Sequence, residues 1–265
     1  MFLQARVKVW KPYTRGTLPS SGAYYLLEFP ARVFLQSESG KSNFFGDPVF
    51  GFGPISLLLD NPLVFLIAAA ALLFGLVLHN VVQARLADRL GDSSARLAGF
   101  ASTEPQRHFE PLNLIFFLLL GLCVPRAIPL YGSRLRGRGA AEARVWLSGP
   151  LTLIIWAFIL LLVDTLLVQF VPRVDVLVNI TQGLAVGASF AIIHAVVFMV
   201  PLPDFDAGHA LYANGSASTR QTLDRIAAAG PLVTFIFFLV LSFSGVLGRI
   251  VGAVTQIITL PLQIF

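Results

Sequence analysis

Charge is scarce in this sequence: Asp, Glu, Lys and Arg together make up 12% of its 265 residues, whereas 56% of the residues are hydrophobic. A soluble domain of this length needs many more charges to cover its surface, so the composition excludes an ordinary soluble protein and indicates an integral membrane protein. Cysteine is nearly absent as well. Cys123 is the only one, which excludes an intramolecular disulfide. Nothing in the composition suggests a nucleic-acid partner, and we expect none.

Four apolar stretches are long enough to cross a bilayer, at residues 62–84, 147–171, 181–200 and 230–247, because a helical span needs about 20 mainly apolar residues. A fifth stretch, 112–124, reaches only about 20 Å as a helix, short of the roughly 30 Å hydrocarbon core. Because prolines flank it on both sides, we predict a re-entrant segment there. The expected fold is therefore an all-α membrane protein with about four transmembrane helices plus this segment.

The chain divides at about residue 60 into two regions of different composition. Residues 1–60 form a mixed extension whose first part has short β-prone runs between prolines and glycines, which favours a small sheet or hairpin. Residues 44–59 are aromatic and broken by Gly and Pro, and we predict an interfacial or partner-facing segment there. Residues 61–265 form the membrane domain.

Arginine is concentrated in the connections of this domain. Nine arginines lie between residues 85 and 144, and all lie on one side of the membrane if 112–124 does not cross. Excess positive charge marks the cytoplasmic side of a membrane protein. We therefore expect 85–146 and 201–228 to be cytoplasmic, in the inner membrane of a bacterium.

The end of the first span carries a polar group in an otherwise apolar helix. His79 and Gln83 are separated by one helical turn and share a face, with Asn80 beside them. This is the layout of the H-E-x-x-H motif, in which two histidines hold zinc and the glutamate acts as general base. Two of the three working positions are altered here.

Further motifs follow in order along the chain, and together they resemble the site-2 protease family of intramembrane zinc metallopeptidases. The resemblance covers about residues 75–215. The five stretches that carry it are 79–83 (HNVVQ, against H-E-x-x-H), 107–111 (RHFEP, against K-H-I-D-P), 125–130 (PRAIPL, against A-K-P-V-P-V), 148–152 (SGPLT, against A-G-P-L-A) and 200–208 (VPLPDFDAG, against L-P-I-P-P-L-D-G-G).

The resemblance implies a degenerate zinc site. His79 matches the first zinc ligand of the family and Asp206 the third, whereas Gln83 stands in place of the second histidine and Asn80 in place of the glutamate. Phe198 occupies the place of an asparagine that family members often carry. A carboxamide is a poor zinc ligand, and asparagine cannot accept a proton from water at neutral pH. We therefore expect no catalytic residue, no metal and no cofactor.

Three functions remain open from the sequence. The first is a non-catalytic homologue that serves as a structural or regulatory subunit of a larger membrane complex, with integral membrane subunits and lipids as partners. The alternative is a divergent intramembrane zinc metallopeptidase that holds its metal with His79, Asp206 and His209. The third is a cofactor-carrying subunit that binds haem or a pigment through His194 or His79.

Several other features have both a functional and a structural interpretation. Asp164, a lone acid in the second span, marks a proton path or reaches water at the interface. The patterns GLAVG (183–187) and GRIVG (248–252) permit close helix approach, either within the chain or to a partner. The arginine run 134–144 contacts anionic lipid headgroups or forms a solvated loop that sets the topology.

Overall fold

The computed structural model describes residues 54–264, apart from position 173 and positions 231–232, 234–235, 238–239 and 242–243. The predictions for residues 1–53 lie outside these residues, and the predicted fourth span at 230–247 lies partly outside them. The described residues are mainly helical and contain no strand. The α-helices, in chain order, are α1 (Pro54–Asp60), α2 (Pro62–Leu90), α3 (Ser94–Leu97), α4 (Pro105–His108), α5 (Pro111–Leu120), α6 (Arg138–Phe170), α7 (Asp175–Phe198), α8 (Asp206–Asn214), α9 (Ala217–Ala228) and α10 (Val246–Thr259), with 3-10 turns at Gly132–Arg134 and Leu260–Ile264.

Helices α2, α6 and α7 are long and apolar enough to cross a membrane, with 29, 33 and 24 residues. At 1.5 Å per residue they measure roughly 36 to 50 Å, more than the hydrocarbon core of a bilayer. Helix α2 begins where the side chain of Asn61 accepts a hydrogen bond from the Val64 amide at 3.2 Å, and it ends at Gly91, whose φ of 114° breaks the helix. The predicted all-α membrane fold is confirmed.

The segment 112–124 is too short to cross a bilayer as a helix. Helix α5 has ten residues, about 15 Å of length, and the chain turns back at Gly121. The side chain of Asn113 donates to the carbonyl of Val124 at 2.7 Å, and the Arg126 amide donates to the carbonyl of His108 at 2.7 Å. Both bonds join the start of the segment to its end. The segment therefore enters and leaves at the same end of the bundle.

Three helices extend beyond the spans predicted for them, and the first of them, α2, continues past residue 84 to Leu90. Helix α6 begins at Arg138 rather than at 147, and α7 begins at Asp175 rather than at 181. Hydropathy locates the part of a helix that lies in lipid, but polar residues continue the same helix into water. The alanines at 140, 141 and 143 favour this early start of α6.

The three spans pack tightly along α7, whose two glycines face α2. A Cβ at Gly183 would lie 2.6 Å from the Cβ of Ile67, and one at Gly187 would lie 2.8 Å from the Cβ of Ala71. The GLAVG pattern therefore serves a contact within the chain. The GRIVG pattern differs, because no atom of the described part of the chain lies within 4 Å of a Cβ at Gly248 or Gly252.

Helix directions bring the arginine-rich connection and the loop after α7 to the same end of the bundle. The amide of Arg136 donates to the carbonyl of Leu90 at 2.8 Å, which joins the end of α2 to the approach to α6. The side chain of Asn214, at the end of α8, donates to the carbonyl of Gly139 at 3.0 Å. Residues 85–146 and the start of 201–228 therefore share one face of the molecule.

Candidate functional site: a polar cluster between α2, α6 and α8

The polar residues near the end of α2 meet the first residue of α8. His79, Asn80 and Gln83 are 3%, 1% and 1% exposed, and Asp206 is 7% exposed. Helix α8 follows the loop 199–205, whose fold depends on Gly208, because a Cβ there would overlap the carbonyl oxygen of Leu202. The structure thus brings together the four residues that match the zinc-site positions of the resembled family.

Direct hydrogen bonds fill the centre of this cluster. Nε2 of His79 lies 2.7 Å from Oδ2 of Asp206, and Nδ1 of His79 lies 2.9 Å from Oδ1 of Asn80. The side-chain nitrogen of Gln83 donates to Oδ1 of Asp206 at 2.9 Å. Both ring nitrogens of His79 are therefore hydrogen-bonded, as a buried polar group in a span requires.

Hydrogen-bond geometry fixes one proton of His79. The Asn80 nitrogen donates to the carbonyl of Arg126 at 2.9 Å, and because that carbonyl can only accept, the Asn80 oxygen must face the imidazole. Nδ1 of His79 therefore carries a hydrogen. Nε2 lies 2.7 Å from Oδ2 of Asp206, so the second ring nitrogen is engaged in a hydrogen bond as well. Neither ring nitrogen has a free lone pair for a metal.

Gln83 is fixed in the same way. Its nitrogen also donates to the carbonyl of Trp146 at 3.0 Å. Because this carbonyl and the Asp206 oxygen both need a donor, the amide presents its nitrogen to the cluster, and an amide nitrogen does not bind a metal. The position of the second zinc ligand in the resembled family is thus occupied by a hydrogen-bond donor.

His209 lines the cavity at the edge of the cluster, where it packs on an aromatic side chain. Its ring stacks on that of Trp146, with the centroids 4.3 Å apart and the planes at 20°. Burial holds the pKa of His209 below its ordinary value, although the charges of Asp206 and Asp204 oppose that shift. Within the described residues, no group of three His, Cys, Asp or Glu side chains is placed to hold a metal ion. As arranged, the donor set does not fit zinc.

Helix α6 closes the cluster from the third side through Gly149. A Cβ at this position would overlap Nε2 of His79 and the side-chain nitrogen of Gln83. Only glycine lets α6 approach α2 so closely, and this approach is what brings the Trp146 carbonyl within reach of Gln83. The motif at 148–152 therefore serves the site by letting the backbone of α6 lie close to α2.

Two more of the five motifs are joined to the cluster by hydrogen bonds. The backbone of Arg126, in the motif at 125–130, joins Asn80 to His108, in the motif at 107–111: its carbonyl accepts from the side chain of Asn80 and its amide donates to the His108 carbonyl. The His108 ring is fully buried and lies 2.9 Å from the Ser102 carbonyl. Since burial lowers the pKa of His108, the ring is neutral and donates through Nε2.

Little space is left in the cluster. The cavity at its edge has a volume of about 30 Å³, room for one or two water molecules. The ring of Phe198 forms one wall, with its centroid 5.3 Å from that of His79 and an interplanar angle of 61°. Asp206 bonds directly to His79 and Gln83 of α2, which narrows the space between α2 and the loop before α8 to this small cavity.

His194 is engaged at both ring nitrogens. Nδ1 donates to the carbonyl of Phe190 at 2.6 Å, and Nε2 accepts from the amide of Cys123 at 2.9 Å. The histidine is fully buried and ties the return of the re-entrant segment to α7. In this arrangement both ring nitrogens are engaged, and neither is free for a haem or pigment.

Sequence reasoning found the side chains of the site and missed its backbone. The carbonyls of Trp146 and Arg126 determine which way the Gln83 and Asn80 amides point. The sequence does not show which backbone carbonyls will face the site. The glycine in the motif at 148–152 does indicate that two helices approach each other closely there.

The comparison with known proteins supports the family resemblance that the motifs indicate. A Bacillus subtilis protein named "Putative zinc metalloprotease YwhC" is 26% identical over 174 residues, 64% of this chain and 77% of that protein. Two Mycobacterium tuberculosis strains have proteins named "Putative zinc metalloprotease Rip2", with 27% and 26% identity over 67% and 69% of this chain and 67% and 70% of theirs. No family model and no solved structure matches. The resemblance of this membrane protein to the site-2 protease family, the intramembrane zinc metallopeptidases, is confirmed.

Proposed function

We propose that this chain is a non-catalytic homologue of the site-2 proteases and serves as a structural or regulatory subunit of a larger membrane complex, in the inner membrane of a bacterium. The observation that supports this most is the orientation of Gln83. Its amide nitrogen donates at once to the Trp146 carbonyl, at 3.0 Å, and to Asp206, at 2.9 Å. A residue that meets two acceptors in this way stabilises helix packing and offers no electron pair to zinc.

The second altered position supports the same proposal. In a metallopeptidase of this kind the residue after the first histidine takes a proton from the attacking water, which is worth roughly 10²–10⁴-fold in rate. Asn80 has no proton-accepting group, and both ends of its amide are already bonded, one to His79 and one to the Arg126 carbonyl. The residues thus replace each lost catalytic group by a matched structural contact.

Such a network stabilises the fold and supplies neither a zinc ligand at position 83 nor a general base at position 80. It joins α2, α6, α8 and the return of the re-entrant segment, each through at least one hydrogen bond that is buried or partly buried. A fold preserved in this way can present its lipid-facing helices to other membrane subunits, which we propose as partners together with lipids. We propose no nucleic-acid partner and no cofactor.

Zinc stoichiometry tests the proposal. The full chain, purified in mild detergent, is measured for zinc by elemental analysis beside a Gln83→His variant, which serves as the positive control for a restored ligand. We expect no zinc in the wild type, together with partner subunits that stay with it at fixed stoichiometry through size-exclusion chromatography. One zinc per wild-type chain, lost in His79→Ala, would refute the proposal.

The names of the relatives favour a second candidate, a divergent intramembrane zinc metallopeptidase that cleaves transmembrane segments. Zinc is the cofactor this candidate requires, and its ligands would be His79, Asp206 and His209. It requires His209 to leave its stack on Trp146 and the hydrogen bond between His79 and Asp206 to be broken. Zinc in the wild-type chain, together with cleavage of a transmembrane substrate, would establish it.

A further inference from the structure

The arginine-rich end of the bundle contains two kinds of arginine. Four of the nine lie within 4 Å of a carboxylate, with separations from 2.9 to 3.9 Å; they are Arg96, Arg107, Arg126 and Arg134, which pair with Asp88, Glu104, Glu110 and Asp92. The other five make no ion pair with any residue that the structure describes, and all five are exposed; they are Arg85, Arg89, Arg136, Arg138 and Arg144.

The five unpaired arginines lie on two segments that touch. Arg85 and Arg89 are one turn apart on the last part of α2, and the other three surround the start of α6. The Arg136 amide bonds to the Leu90 carbonyl at 2.8 Å, which brings the segments together. Nη2 of Arg144 lies 3.7 Å from where a Cβ of Gly137 would be, so this side chain folds back towards the same turn.

The nearby acids do not neutralise this basic patch. Glu142 is the only acid between residues 126 and 146, and its carboxylate is directed at Gly132, where a Cβ would overlap it. Asp88, which lies between the two arginines of α2, is paired with Arg96 at 2.9 Å. Five positive charges therefore remain together without an anionic partner among the residues that the structure describes.

The depth of the patch corresponds to the headgroup layer. The continuous apolar part of α2 ends at Leu78, about 10 Å before Arg85, and the apolar part of α6 begins directly after Arg144. Tyr131, half exposed with the guanidinium of Arg134 4.6 Å above its ring, lies beside the patch, as aromatic residues do at membrane interfaces. Arginines at this level reach the phosphates of lipids.

We propose that the patch formed by Arg85, Arg89, Arg136, Arg138 and Arg144 binds the headgroups of anionic phospholipids. The pairing pattern supports this, because positive charge that merely sets topology does not need to be kept apart from the acids in the same loops. An anionic headgroup supplies to these five side chains the counter-charge that their four neighbours receive from carboxylates.

The test compares two variants that lose the same charge. The patch variant carries Arg136→Gln, Arg138→Gln and Arg144→Gln, and the control carries Arg96→Gln, Arg107→Gln and Arg126→Gln. Each full-length protein is stripped of lipid in mild detergent and then given phosphatidylglycerol or phosphatidylcholine. Native mass spectrometry counts the bound lipids, and thermal unfolding reports stability.

We expect the wild type and the control to retain phosphatidylglycerol over phosphatidylcholine by roughly tenfold or more, and the patch variant to lose that preference. Equal loss in both variants, or no preference in the wild type, would overturn the proposal. A stabilisation reproduced by inorganic phosphate alone would also overturn it, because the ligand would then be a free anion. If the patch variant does not fold, the wild type is measured at high salt, where screening must abolish the preference.

Discussion

Gly149 of α6 lies directly against the imidazole of His79, so closely that a Cβ at position 149 would overlap Nε2 of the ring. The same added atom would meet the side-chain nitrogen of Gln83. The polar cluster is therefore built by the approach of two spans, and one hydrogen atom on α6 in place of a methyl group permits it.

This relationship predicts that Gly149→Ala is severely destabilising. The methyl group must push α6 away from α2 or displace the His79–Asp206 pair, and overpacking of a tight core costs about 1–3 kcal/mol or more. The added loss of the Gln83 bond to the Trp146 carbonyl increases this cost. The free energy of unfolding, measured by denaturant titration in mixed micelles, should fall accordingly.

Gly248→Ala is the matched control for that measurement. No described atom lies within 4 Å of a Cβ at position 248, and α10 gains up to about 1 kcal/mol from alanine in place of glycine. Equal destabilisation by the two substitutions would contradict the packing seen at Gly149.

A second prediction concerns Gln83→His. Imidazole in place of the amide removes the donor that faces Asp206 and supplies a nitrogen with a lone pair beside His79. With Asp206 this gives three protein ligands, which is the number of a catalytic zinc site. We expect the variant to bind about one zinc per chain, measured by elemental analysis after dialysis. Zinc should remain absent from Gln83→Leu, which removes the same donor without adding a ligand.

Activity should separate from metal binding in this series. Because Asn80 leaves the site without a proton acceptor, Gln83→His alone should hold zinc without cleaving a transmembrane substrate. The double variant with Asn80→Glu adds the missing base. Cleavage by Gln83→His alone would show that Asn80 is not what disables the site.

The spans and the side chains of the site were predictable because their signals are local. Residues 63–78 carry no charge and form most of α2, and the length of 112–124 is too short for a crossing whatever its surroundings. The pairing of His79 with Asp206, 127 positions apart, was reached only through motif resemblance, because neither residue carries information about the other.

The remaining features depend on packing that no local pattern encodes. The two G-x-x-x-G patterns look alike in sequence, yet Gly183 and Gly187 contact α2, whereas Gly248 and Gly252 contact nothing that the structure describes. His209 was offered as a third ligand, and in the structure its ring stacks on that of Trp146. These outcomes depend on how whole helices meet.

A third prediction concerns His194, which holds the return of the re-entrant segment. His194→Leu removes the acceptor of the Cys123 amide and leaves a buried N–H without a partner, a cost of about 1–3 kcal/mol. We expect faster proteolysis of residues 121–130 in detergent. A His194→Gln variant retains an acceptor and should recover part of the protection. Unchanged proteolysis in His194→Leu would show that this bond does not hold the segment.

Membrane sidedness gives a fourth prediction. Cys123 is the only cysteine and is buried, so the wild type should stay unlabelled by a membrane-impermeant maleimide. Ser133→Cys and Ser218→Cys place exposed thiols on the arginine-rich side, and Asp175→Cys places one at the opposite end of the bundle. We expect the first two to react only in inside-out vesicles and the third only in right-side-out cells. The reverse result would invert the proposed topology.

The last prediction concerns the pH dependence of the connection between α2 and α6. Burial by itself raises the pKa of Asp92, but this is more than offset by the Ser94 hydroxyl and amide, at 2.6 and 3.1 Å, by the Tyr131 amide, at 2.6 Å, and by the charge of Arg134. The pKa therefore lies below its ordinary value of 3.8. The unfolded chain binds this proton at higher pH than the folded one does.

Because the pKa of Asp92 is lower in the folded state than in the unfolded chain, the ionised carboxylate stabilises the folded protein. The stability that Asp92 contributes is fully present above about pH 4 and is lost as pH falls through the lower pKa of the folded state. Asp92→Asn weakens the hydrogen bonds of the carboxylate, so it should destabilise the protein by about 2–3 kcal/mol at pH 7. The difference from the wild type, measured by denaturant titration from pH 7 to pH 3, should shrink towards low pH. A difference that stays constant over this range would mean that the carboxylate charge does not stabilise the connection.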